Sequence, residues 1–261
     1  MKTFKTNTLG LWVSAGALVL GVGACAMDEG LRDEDFDDLA QGLGESIDNE
    51  NDTAQLRVAG DVEALATGEI PEGLNASGER SFEGARGSVT YSYTVACFDA
   101  AGVALSACGP LTDRAEVESS WTGTVQTARY SGQAEGSASW VITGFSGDTL
   151  TINGTGGFEF NGRFQALGRP VTRTRFLKVD AVYIDVLVNR DAKTLVGGSI
   201  DYAVETTLER DGGLVDVNRA WQGDATVTFS GEPVVELVID GTRAYQLNLE
   251  SHTVAPAGAA E

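Results

Sequence analysis

The chain has 261 residues, 18 lysines and arginines against 38 aspartates and glutamates, a formal charge of −20 and one histidine. That charge repels a phosphate backbone over most approaches, which argues against nucleic acid as a partner. With His252 as the lone histidine, serine triads, Cys–His dyads and multi-histidine zinc sites lack their usual base or ligand.

The first residues, MKTFKTNT, carry Lys2 and Lys5 and no acid. An apolar run follows from Leu9 to Ala24. As a helix it would span roughly 24 Å, short of a ~30 Å hydrocarbon core. A basic start, a short apolar stretch and small residues at its end read as a signal peptide over residues 1–24. Val22-Gly23-Ala24-Cys25 resembles the lipobox of bacterial lipoproteins. The resemblance implies a diacylglycerol on the Cys25 sulfur, a palmitate-type chain on the new amine, and attachment to a membrane of the cell envelope. More than one chain is what stable anchoring requires. Ala26, in the place after the cysteine, points by the same analogy to the outer membrane. With Cys25 lipidated, Cys97 and Cys108 remain as a disulfide pair in an oxidising compartment. The whole chain also resembles uncharacterised β-rich envelope lipoproteins of bacteria, a likeness that carries no activity with it.

Residues 25–55 read as an acidic tether. Eleven acids lie between Asp28 and Asp52, with Arg32 the single cation among them. Self-repulsion and few apolar groups keep such a stretch extended, with a coil reach of roughly 30 Å. Inside it, Phe36, Leu39, Leu43 and Ile47 follow helical spacings. Asp33 and Asp35 are placed to cap a short helix and to suit its dipole, while Gly42 and Gly44 weaken it. Such a helix is expected either transiently or docked on the body.

Residues 56–261 read as a single β-rich domain. In SVTYSYTVACF, Val89, Tyr91, Tyr93, Val95 and Cys97 share one face, the alternation of a half-buried strand. Similar runs cover 116–130, 137–145, 149–160, 171–178, 182–188, 199–208, 225–229 and 233–249. Between them stand turn sequences such as FSGD, RDGG and IDGT. The fold class is all-β and mostly antiparallel, a curved sheet, a sandwich or an open barrel. Two hairpins have a testable register. A Cys97–Cys108 pair places a two-residue loop at Gly102-Val103. A three-residue loop at 240–242 sets Leu237 against Tyr245 and Val235 against Leu247.

Five of the fifteen cations from Arg57 onward fall within sixteen residues: Arg163, Arg169, Arg173, Arg175 and Lys178. Arginines in a row suit phosphate or carboxylate groups, so this cluster is a candidate anion site, with lipid phosphates, an anionic glycan or the acidic tether as its targets. In VTRTRFLK, Arg173 and Arg175 alternate with threonine and so point to one face. Trp121, Trp140 and Trp221 lie in strand patterns and are candidates for stacking on a ligand. DEDFDD mimics the start of a calcium loop, but Asp38 and Gly44 stand where the loop needs glycine and glutamate. No metal or other cofactor is expected. The leading expectation is a non-catalytic, membrane-tethered domain that binds or scaffolds an envelope glycan, lipid or protein. Its alternatives are a carbohydrate- or lipid-binding module and a hydrolase that works through two carboxylates. A deep apolar groove would favour lipid; tryptophans exposed on one face would favour sugar.

Overall fold

Alternating apolar and polar residues build long strands, and their order along the chain fixes the sheet. The computed structural model describes residues 31–47, 55–126, 130–165, 172–210, 217–251 and 253–258. The signal peptide, Cys25, Arg169 and His252 lie outside the described residues, as do 25–30 and 48–54 of the stretch read as a tether.

Among the described residues two helices come first, α1 (Asp33–Ile47) and α2 (Gln55–Thr67). Twelve strands follow: β1 (Leu74–Ala76), β2 (Ser81–Arg86), β3 (Val89–Phe98), β4 (Arg114–Gln126), β5 (Tyr130–Thr143) and β6 (Thr149–Gln165). The second half is β7 (Thr172–Asn189), β8 (Thr194–Arg210), β9 (Val217–Phe229), β10 (Val234–Ile239), β11 (Arg243–Asn248) and β12 (Thr253–Pro256). Each strand pairs antiparallel with its neighbours in sequence, giving one sheet in the order β1 to β12 that does not close on itself. The all-β, antiparallel reading holds, and among its variants the protein is a single open sheet. Both edges are short, three residues in β1 and four in β12, which limits the unpaired backbone they offer.

The sheet curls, and α1 shows how tightly. Residues of β5, β7, β9 and β11 all hydrogen-bond to it, and β12 packs on it. Laid flat, β5 and β12 would stand about 34 Å apart at ~4.8 Å per strand. A helix is only about 10 Å across. The inner face therefore wraps around the helix, and its apolar residues form one cluster with those of α1 and α2. Three adjacent long strands also bend together. Register shifts at Ile152/Gly154 and Ile184/Leu187 mark β-bulges, where Asp185 takes φ 46° and Gly198 φ 88°. Asn153 holds the bend, donating from Nδ2 to Asp185 Oδ1 and accepting from the Asp185 amide.

Several local expectations meet the structure directly. The β10–β11 register matches, with Leu237 opposite Tyr245 and Val235 opposite Leu247. Asp240 and Gly241 both take positive φ, as a type I′ turn requires. The Cys97–Cys108 disulfide is present, but its loop differs from the expected two-residue turn. Phe98 stands opposite Ala104, and Asp99 Oδ1 accepts hydrogen bonds from the amides of Ala101 and Val103, closing a wider turn. An aspartate side chain that satisfies two loop amides outweighs the Gly102 signal. Residues 171–178 and 182–188, read as two strands, belong to one, because Asp180 simply points outward opposite Ala203.

α2 was absent from the sequence reading. Its signal is nevertheless present: Val58, Val62, Leu65 and Ala66 are buried at helical spacing. Gly68, at φ 91°, then ends the helix, with Glu69 N bonded to Ala64 O and Gly68 N to Leu65 O, a Schellman cap. Among the described residues, no helix is long and apolar enough to cross a membrane.

Candidate functional site

The acidic segment and the arginine run meet inside the sheet. Asp35 sits at the third helical position of α1 and accepts a hydrogen bond from the Arg32 amide, half of a capping box. Its carboxylate is fully buried and pairs at 2.5 Å with both Arg173 Nη1 and Arg219 Nη1. Burial pushes the Asp35 carboxyl up, but the Arg32 amide and the two guanidinium groups outweigh it and hold the pKa below its ordinary 3.8. Arg175 is buried beside them and donates from Nη1 to the Asp38 carbonyl. Arg243 stacks its guanidinium over the Phe36 ring at 3.8 Å.

The five cations read as one anion site are thus divided. Arg173 and Arg175 face inward and bind the chain's own helix. Arg163 is exposed on the other face, and Lys178 lies 3.7 Å from Glu159 there. Arg169 is outside the described residues. The period of two separates neighbours in sequence onto opposite faces of the sheet.

α2 is held in the same manner. Asp61 accepts from Arg86 Nη1 and Nη2 at 2.6 and 2.9 Å and from Tyr93 Oη at 3.0 Å. Glu63 pairs with Arg190 Nε at 2.8 Å and Lys193 Nζ at 2.6 Å. Burial raises the Glu63 carboxyl, and these two cations more than offset it, leaving the pKa below 4.5.

Both helices stop short of filling the concavity over β4 to β7. Between them and the sheet lies a cavity of about 90 Å³, counted as room for the centres of water-sized molecules. Small residues make its floor. Ala134 and Ala138 point inward from β5 and Gly157 joins them from β6, while Trp121 lies so close across Gly136 that a Cβ there would fall 2.5 Å from the indole. Aromatic and aliphatic side chains make the walls, among them Trp140, Phe158, Phe160 and Leu177. Trp140 meets Tyr183 edge to face at 5.1 Å, and burial pushes the Tyr183 phenol well above its ordinary pKa, so it stays neutral.

Two polar atoms in this lining are buried with no hydrogen-bond partner, Ser119 Oγ and Trp140 Nε1. Buried polar groups are nearly always satisfied, so a pair of them against one cavity marks a place for a ligand or water. Among the described residues lining it, Glu45 is the one charged group.

The three tryptophans do not form one exposed platform. Trp121 and Trp140 line the cavity, whereas Trp221 packs edge to face on Phe36 at 5.4 Å, between sheet and helix. Ser119 was missed by sequence reasoning, yet its surroundings left a trace. In SGQAEGSASW every second residue from Gly132 to Ala138 is glycine or alanine, so a whole inward stripe lacks bulk.

Outside the cavity, Glu135 and Glu159 stand directly opposite each other across β5 and β6 on the outer face. Glu135 is exposed, and Glu159 is half-buried with Lys178 3.7 Å away. Among the described residues, no group of three or more metal-ligating side chains comes together. The chain matches no protein-family model, and no curated protein or solved structure is significantly similar to it.

Proposed function

We propose that this chain is a lipid-anchored protein of the bacterial envelope whose β domain binds an apolar ligand without transforming it. The observation that carries the reading is the apolar cavity between the two helices and the curled sheet, with buried, unpaired polar atoms in its wall. A small apolar pocket with a few convergent polar groups is the usual form of a small-molecule site. The sugar-stacking alternative needs exposed rings, and Trp140 is only 3 % exposed. The hydrolase alternative needs a second acid beside Glu45, and the described lining provides none.

The lipobox supplies the location. α1 begins eight residues after Cys25, a span of at most ~29 Å when fully extended. A lipid on Cys25 would therefore keep the cavity within reach of the membrane surface. Two measurements test the two halves. A Cys25→Ser variant should leave the membrane fraction, and mass spectrometry of the membrane-extracted protein should show acyl chains on Cys25 and no residues 1–24. Equal retention of the variant in membranes would remove the anchor. A neutral, rod-shaped dye that brightens in apolar surroundings, 1,6-diphenylhexatriene, should fluoresce on binding the purified chain, and the signal should be lost when Ala138→Leu fills the cavity. A dye signal indifferent to that substitution would remove the binding reading.

A further inference from the structure

We infer that the cavity takes one unbranched hydrocarbon chain of a neutral lipid, with the hydroxyl or carbonyl oxygen of that lipid seated between Ser119 Oγ and Trp140 Nε1. The inference rests on the binding reading above and specifies its ligand. Shape gives the first argument. The wall follows β4 from Ser119 to Val125, six residues or roughly 20 Å. Lining residues that extend over that length around a volume of only about 90 Å³ suit a single methylene chain better than a block of fused rings. The floor of alanine and glycine keeps the slot open, while Trp121 and Phe158 flank it.

Charge gives the second. No lysine or arginine is among the described lining residues, and Glu45 is a carboxylate. An anionic head buried there would lose its hydration without gaining a cation from the described lining, which is costly. A neutral head avoids that penalty.

Hydrogen bonding gives the third. Ser119 is 7 % and Trp140 3 % exposed, so both are effectively out of water. The indole Nε1–H can only donate, so its partner must be an acceptor oxygen. The two residues sit at the same end of the slot, since Ser119 pairs with Ala138 and Val117 with Trp140 across β4 and β5. One oxygen can therefore serve both donors. Leaving them unpaired destabilises the empty protein, and a site built for a ligand commonly carries such a cost.

The test uses the purified full chain and follows the change in tryptophan fluorescence on ligand addition, to which Trp121 and Trp140 in the lining contribute. The probes are 1-hexadecanol and 1-monopalmitoylglycerol as neutral chains, palmitate at pH 8 as the charged counterpart, and cholesterol as a rigid ring system. Both neutral chains should bind one per protein, at least about tenfold tighter than palmitate. Ser119→Ala should weaken them by about fivefold to tenfold, the value of one neutral hydrogen bond, yet raise the melting midpoint of the empty protein. These opposite signs separate a ligand contact from a structural one, and they do not depend on whether Ala138→Leu folds. Palmitate or cholesterol binding as tightly as the neutral chains would overturn the inference, as would an unchanged affinity in Ser119→Ala. If diphenylhexatriene binds the cavity but no neutral chain does, the inference falls and the apolar-ligand reading stands. If nothing apolar binds, both fall.

Discussion

Asp35 is the residue on which the joining of helix and sheet turns. Its carboxylate is 0 % exposed and is shared by Arg173 and Arg219, whose side chains are 10 % and 5 % exposed. Removing one member of a buried charge group leaves the others uncompensated, which costs about 3–5 kcal/mol. Asp35→Asn should lower the unfolding free energy by about that amount in urea titrations, more than replacement of the exposed Asp33. The pairing also sets an acid limit. Asp35 and Glu63 both titrate below their ordinary values of 3.8 and 4.5 when folded. Their contributions are present in full above those values and disappear as pH falls through the lower folded ones. Stability measured from pH 6 to pH 2 should therefore fall below about pH 4.5, and Asp35→Asn should flatten the lower part of that fall. Alternation in VTRTRFLK showed that Arg173 and Arg175 share a face. It did not show which face, because arginines at a protein's centre contradict the usual hydropathy rule unless an acid is buried opposite them.

At the level of the element, α1 is a poor helix held by good packing. Gly42 and Gly44 lower its intrinsic propensity, which is why the acidic stretch reads as a tether whose short helix is either transient or docked on the body. In the fold both glycines are contact points. A Cβ on Gly42 would lie 2.6 Å from Tyr130 Oη, the hydroxyl that donates to the Asp38 carbonyl, and one on Gly44 would lie 3.1 Å from Val254. Gly42→Ala should thus destabilise the protein by about 1–3 kcal/mol despite a gain of ~1 kcal/mol in propensity, as thermal or urea denaturation would show. If Gly42→Ala were stabilising, the close approach of helix and β5 would be refuted. The strands were easier to read. A half-buried strand records its two environments in every pair of residues, so β3 and the β10–β11 hairpin could be placed to the residue. α2 escaped notice because its apolar positions are few, and its signal lies partly in the Gly68 stop.

For the whole molecule, the two helices replace the second layer that a single sheet needs to cover its apolar face. Helix and sheet form one core in which Phe36, Leu39, Leu43 and Ile47 are all buried. A chain lacking residues 1–47 would expose that inner face, a contiguous apolar surface of the kind that drives association. It should form soluble oligomers or aggregates on size-exclusion chromatography and bind ANS far more strongly than the full chain. Monomeric behaviour with unchanged dye binding would show that α1 is dispensable to the core. The same reasoning explains where the cavity lies. The helices cover the concavity unevenly, and the stripe of glycine and alanine on β5 leaves space where large residues would have closed it.

Local geometry was legible in the order of the residues: the strand alternation, the turn over residues 240–242 and the cysteines that pair. Each depends on residues near one another in the chain, where spacing alone decides geometry. Only the tertiary structure decided that the acids of α1 and the arginines of β7 and β9 neutralise each other, that Ser119 and Trp140 share one cavity, and that the sheet curls instead of lying flat. Hydrogen bonds in these features join residues up to 208 positions apart, as Asp37 and Tyr245 are. Contacts at that separation depend on how every intervening strand bends and pairs, which no local pattern encodes.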